Sequence, residues 1–359
     1  MNKILKRSSR ENIFTYAMVI ISFIGMKILI AAGSVNSVLQ GQLVPICAYA
    51  VMALSLNLTV GVLGELSLGH AGFMSVGAFS GVVASFALEQ MVPWVPLRLA
   101  LSMGVGAACA AAAGMLVGVP VLRLAGDYLA IVTLAFGEII KNLITCLYVG
   151  IDDRGLHFSF LGNASDLHLQ EGGRVIVNGP MGIAGIQKLS SFSAGFALLL
   201  VALFVLLNLI NSRSGRAIMA LRDNQIAAES VGIPVTKYKM MAFVTSAALA
   251  GAAGALYAMN YSTVVASKFN FNTSILILVF VVLGGLGKMW GSIIAAVVLT
   301  VLPELLRGFN DYRMLVYAIV LILVMLATNN QKINDFLGRV RSGIVGAFKK
   351  PGEEGEPNA

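Results

Sequence analysis

The stretch RAIMALRDNQIAAESVGIPVTKY, Arg216 to Tyr238, is the one whose reading decides the fold. It is polar and charged, whereas FALLLVALFVLLNLI before it, from Phe196, and MMAFVTSAALAGAAGALYAM after it, from Met240, are continuous apolar runs. A chain alternates in this way where it leaves a bilayer and re-enters it, so the segment marks a turn between two crossings. Its own residues are punctuated. Asp223 can cap a short helix beginning at Asn224, Gly232 can end that helix in the left-handed conformation, and Pro234 blocks its continuation. The expected course is helix, corner, short helix, corner, next crossing.

Composition generalises the local reading. Of the 359 residues 58% are hydrophobic and only 12% charged, with a mean hydropathy of +0.86, more than a water-soluble domain can cover with polar surface. A crossing needs roughly 20 apolar residues. Apolar segments near 13–32, 43–61, 67–88, 99–119, 128–148, 192–210, 239–258, 274–286, 290–306 and 313–328 predict an all-α integral membrane protein, a bundle of about ten transmembrane helices in one domain over 13–328. The first run is too long for the apolar core of a signal peptide and reads as a membrane helix. The short run at 274–286 ends in GGLGKMWG (284–291), and GVLGELSLGHAGF (61–73) is a second glycine-rich interruption. Both suggest broken or re-entrant helices, whose backbone at membrane depth must line a cavity or be buried in protein. CAAAAGMLVG (109–118) and SAALAGAAGAL (246–256) carry the small residues that let membrane helices approach closely.

Orientation follows the basic residues. Lys3, Lys6, Arg7 and Arg10 place residues 1–12 in the cytoplasm; Arg213, Arg216, Arg222, Lys237 and Lys239 do so for 211–239; Lys332, Arg339, Arg341, Lys349 and Lys350 do so for the 329–359 tail. The 150–191 segment, with Asp152, Asp153, Asp166 and Glu171 against Arg154, Arg174 and Lys188, is the extracytoplasmic loop. Five crossings before it, one after it and four more reconcile all of these assignments. The terminal PGEEGEPNA is too polar to bury anything and is expected to be disordered.

Several function classes fall away. The net charge of +8 is scattered over loops and ends, without a basic aromatic face for nucleic acid. Cys47, Cys109 and Cys146 form no CxxC pattern, and His70, His157 and His168 form no metal pattern, so no metal or other cofactor is expected. Around GGLGKMW, Val282 stands where a phosphate loop needs its first glycine and Met289 where it needs Ser or Thr. No catalytic set is evident. Uphill transport would draw on ATP chemistry in another chain or on an ion gradient.

Ionisable groups in or beside the spans need partners. Glu138 and Lys141 are three apart on one helix face and can neutralise each other. Asp127 can cap the helix it precedes, while Glu65 and His70 flank the first glycine-rich junction. These five are candidate pathway residues or structural polar residues.

RSGRAIMALRDNQIAAESVGIPVTKYKMMAFVTSAALAGAAGAL (213–256) resembles the cytoplasmic coupling segment of LivM-type permease subunits of branched-chain amino-acid ABC importers, the LivH/LivM family. GELSLGHAGFMSVGAF (64–79), LAGDYLAIVTLAFGEI (124–139), NGPMGIAGI (178–186) and VVLGGLGKMWGSIIAA (281–296) are similar to the same branch, in the family's order. The resemblance implies an ABC importer permease of the bacterial inner membrane, with both termini cytoplasmic. It implies a LivH-like second permease, two ATP-binding subunits and an extracytoplasmic amino-acid-binding protein as partners, beside the lipid bilayer. Arg216, Arg222, Asp223, Glu229 and Gly232 would couple the chain to the ATPase. Branched-chain amino acids are the cargo by resemblance, and no residue set separates them from urea, short amides or other amino acids. The alternative left by the residues is an ion-gradient-driven carrier of such solutes, with Glu65, Asp127 or Glu138 as its ion site.

Overall fold

The computed structural model describes residues 2–306 except 34–35, 90, 123–126, 153–154, 161–166, 168 and 170–172, together with the isolated positions 315, 318, 319 and 322; the side chains of 2–12, 14 and 127 are also excluded. The rest of the predicted tenth crossing (313–328), the tail, and Asp153, Arg154, Asp166 and Glu171 therefore lie outside the described residues. The chain divides into two compact units, Met1–Val301 and Leu302–Ala359.

From the first unit into the start of the second, the helices run α1 (Asn2–Ala31), α2 (Ser37–Asn57) continued by a π-helical segment (Leu58–Leu63), α3 (His70–Ala87), α4 (Val95–Val121), α5 (Asp127–Thr145), α6 (Phe192–Asn211), α7 (Arg213–Asp223), α8 (Gln225–Ser230), α9 (Val235–Ala258), α10 (Phe271–Gly284) and α11 (Met289–Leu305). Among the described residues, seven helical stretches are long and apolar enough to cross a membrane: Ser37–Leu63, His70–Ala87, Val95–Val121, Tyr128–Thr145, Phe192–Asn211, Val235–Ala258 and Ala266–Gly284. Thr15–Ala31 and Met289–Leu305 are shorter apolar helices. The chain is a multi-pass helical membrane protein, and these nine stretches correspond to nine of the ten segments expected from sequence.

Small residues set the packing. α9 is buried continuously from Leu249 to Ala258 and packs against α2, α3 and α4. A Cβ on Gly77 would collide with the Gly251 backbone, one on Gly254 with the Met74 carbonyl, and one on Gly106 would stand 2.8 Å from the Gly77 oxygen. Without side chains at these points the helix backbones touch, and dispersion contacts replace the hydrophobic drive that lipid cannot give.

Several helix starts are satisfied by local side chains. Ser191 accepts from Ala194 N–H at 3.3 Å for α6, Ser212 from Gly215 N–H at 3.1 Å for α7, and Asn270 from Thr273 N–H at 3.1 Å for α10. At α8 the sequence reading needs correction. The cap is Asn224, which accepts from Ala227 N–H at 3.0 Å, and Asp223 is the last residue of α7. The corner falls at the residue with extended backbone, Asn224 at φ −159°, ψ 104°, which is the geometry a cap requires.

The 150–191 segment contains more than a loop. β1 (Leu147–Asp152), β2 (Gly155–Phe160), β3 (Arg174–Asn178), β4 (Ile183–Ala184) and β5 (Thr263–Val264) form an antiparallel sheet in the order β2-β1-β3-β4-β5. Arg98, at the start of α4, donates to Gln187 at 2.7 Å, and Gln187 in turn bonds Glu89, which fixes this sheet-bearing segment to the bundle.

Candidate functional site

The two glycine-rich interruptions meet. α2 loosens into the π segment, which ends at Gly64 with φ +84°, a conformation that suits glycine. Between α10 and α11 the chain reverses through Gly285 and Gly287, at φ +91° and +79°. The fully buried Asn57, just before the π segment, joins the two. Its Oδ1 accepts Gly287 N–H at 2.8 Å, and its Nδ2 donates to the Lys288 carbonyl at 3.2 Å and to Ser292 Oγ at 3.0 Å. A Cβ at Gly61 would strike Asn57 Oδ1 and stand 2.9 Å from the Gly287 Cα, so this contact requires glycine.

The polar α7–α8 pair is built onto the same place. Arg222 Nη1 donates to the Gly61 carbonyl at 2.8 Å, within the π segment. Its Nη2 lies 3.4 Å from Asp223 Oδ1. Lys239, near the start of α9 and only 4% exposed, pairs with Glu65 and donates to Gln225 Oε1 at 3.0 Å on α8. Both charges of that pair are largely out of water, which is tolerable because they hold each other. α6 ends and α7 begins at Asn211 and Ser212, and Arg216 Nη1 reaches back to the Asn211 carbonyl at 3.4 Å.

α8 ends where Gly232 takes φ +84°, donating its N–H to the Glu229 carbonyl at 2.9 Å, while Ile233 N–H bonds the Ala228 carbonyl at 3.1 Å. Pro234 then leads into α9. Ala228 faces inward. Ile226 and Val231 stand outward, 82% and 75% exposed, with Glu229 also exposed. The pair thus has an inner face tied to both interruptions and an outer face carrying apolar tips.

The other candidate residues lie apart from this junction. His70 is buried and shares a 2.7 Å hydrogen bond with Ser55 Oγ, and the Ser55 carbonyl accepts from Ser246 on α9 at 2.5 Å. Glu138 pairs with Lys141, and its Oε1 accepts Phe271 N–H at 3.2 Å, so a carboxylate on α5 satisfies the start of α10. Gly69 and Gly72 pack directly on Gly137 of the same helix, a Cβ at Gly72 falling 2.9 Å from the Gly137 Cα. Asp127 is the first residue of α5, and its side chain lies outside the described residues. Of the named residues, the structure brings Arg222, Asp223 and Glu65 to one junction, leaves Arg216, Glu229 and Gly232 on the exposed part of the same pair, and separates His70, Glu138 and Lys141. Asn57 and Lys239 escaped the sequence reading as members of the site. The first is a lone amide in the apolar run LSLNLT, and the second counted only as an orientation charge.

Comparison with known proteins places these features in context. The family described as branched-chain amino acid transport system / permease component matches residues 38–325. The high-affinity branched-chain amino acid transport system permease protein LivM of Salmonella typhimurium is 35% identical over 332 residues, covering 88% of this chain and 73% of that protein. LivM of Escherichia coli is 37% identical over 293 residues, or 77% of this chain and 66% of that protein. The fructose import permease protein FruG of Bifidobacterium longum is 28% identical over 163 residues, 44% of each chain. No solved structure matches.

Proposed function

The chain belongs to the branched-chain amino-acid transport permease family, and on that premise we propose that it is one of two permeases in an ATP-driven importer of branched-chain amino acids. Its partners are a LivH-like second permease, two ATP-binding subunits and an extracytoplasmic amino-acid-binding protein. The α7–α8 pair faces the cytoplasm and receives the ATP-binding subunit, and the sheet-bearing segment faces outside.

One observation carries the reading: a short polar helix pair that exposes Ile226 and Val231 outward while Arg222 and Lys239 tie it inward to the broken helices. Exposed apolar tips on a charged element are suited to a protein partner. Polar ties to interrupted backbone suit transmission, because the interruptions can move without rebuilding whole helices. ATP binding draws the pairs of the two permeases together and the bundle opens to the opposite side. A gradient-driven carrier with Glu65 or Glu138 as ion site is disfavoured, since each already holds a lysine.

The test uses the complex of both permeases and both ATP-binding subunits in vesicles with its binding protein. Arg222→Ala combined with Glu229→Ala is expected to leave insertion intact and to cut uptake at least tenfold relative to ATP hydrolysis. Unchanged uptake and hydrolysis would refute the assignment, and uptake that follows an imposed ion gradient without ATP would favour the carrier.

A further inference from the structure

We infer that Asn57 is the positioning residue that passes the displacement of α7 on to the α10–α11 turn, with the π segment as the piece that moves. The inference rests on the importer reading above.

Three facts support it. First, Arg222 of α7 grips the π segment at the Gly61 carbonyl, four residues from Asn57. Gly61 lies in the last turn of the π segment, which ends at Leu63, so its carbonyl has no following helical turn to bond and takes an outside donor. Second, Asn57 spends its side chain on the opposite junction: one acceptor on Gly287 N–H and one amide donating to Lys288 and Ser292. Reversal of the chain at Gly285–Gly287 leaves the Gly287 N–H outside any helix, so Asn57 supplies the acceptor that the turn lacks, while its amide joins the first turn of α11 through the Lys288 carbonyl, which also accepts Ser292 N–H at 3.3 Å, and through the Ser292 hydroxyl. Third, there is no slack between the two contacts. Gly61 and Gly287 approach so closely that even a methyl group at Gly61 would overlap the turn. Arg222, the π turn, Asn57 and Gly287 therefore form one continuous polar chain from the α7–α8 pair to the start of α11. A shift of Arg222 that draws Gly61 must carry Gly287 with it.

The experiment compares wild type, Asn57→Ala, Arg222→Ala and the double variant in the complete complex with its binding protein, reading solute taken up per ATP hydrolysed. Asn57→Ala is expected to lower that ratio at least tenfold while hydrolysis stays within about twofold, and the double variant is expected to be no worse than the worse single, because both cut one path. Ser292→Ala, which removes one of the Asn57 partners, is expected to lower the ratio two- to fivefold and carries the same test if Asn57→Ala does not assemble. Wild-type coupling in Asn57→Ala, or in Ser292→Ala where Asn57→Ala does not assemble, overturns the inference, as does a multiplicative loss in the double variant. A wild-type complex without ATP-dependent uptake would instead sink the importer reading.

Discussion

Lys239 and Glu65 are the most exacting pair of side chains in the junction. Lys239 is 4% exposed, and the charge has no escape to water if its partner is removed. Breaking such a pair costs about 3–5 kcal/mol, whereas replacing both partners with apolar or neutral groups of similar size costs far less. Glu65→Gln is expected to lower the thermal midpoint of the purified subunit strongly, and Glu65→Gln with Lys239→Met to recover most of the loss, as read by fluorescence-detected gel filtration after heating. Gly232 makes a milder demand. At φ +84° a side chain strains the backbone by about 1–2 kcal/mol, so Gly232→Ala should loosen the end of α8 without unfolding the bundle, measurable as faster amide exchange at Ile233. What could be read in advance at this scale was local: the three-residue spacing of Glu138 and Lys141, and the glycine two positions before Pro234. The Asn57 contact spans 230 positions, and no local rule reaches that far.

Among the elements, α8 carries the sharpest expectation. Its six residues are too few to be stable alone, and Asn224 supplies its only side-chain cap among the described bonds. Asn224→Ala should cost about 1 kcal/mol locally. Ile226→Asp and Val231→Asp, which alter only exposed tips, should leave the purified subunit's midpoint unchanged and abolish co-purification of the ATP-binding subunits. Apolar runs announced the spanning helices because burial in lipid demands composition above all. The sheet was not announced: its strands are six residues or shorter, and pairing such as Tyr148 with Asn178 depends on chain reversal at a distance. Nor was the π segment, since an extra residue per turn leaves the apolar content of Leu58–Leu63 unaltered.

For the whole molecule, the proposed sidedness is open to direct labelling. On a background without Cys47, Cys109 and Cys146, Ile226→Cys should react with a membrane-impermeant maleimide only after the cytoplasmic face is opened, and Phe158→Cys, on β2 and 61% exposed, should react in intact cells. The opposite pattern would invert the assignment. The bare backbone contacts of Gly77, Gly106, Gly251 and Gly254 bear on biosynthesis as well. α3 and α4 emerge from the ribosome more than a hundred residues ahead of α9, the helix that fills the seam they leave. Until translation reaches Ala258 that seam lacks the helix that fills it in the finished bundle. Co-expressed halves divided at Gly232 should therefore find each other in the bilayer, the late half locking into the waiting groove, while the early half produced alone should be cleared by membrane proteases.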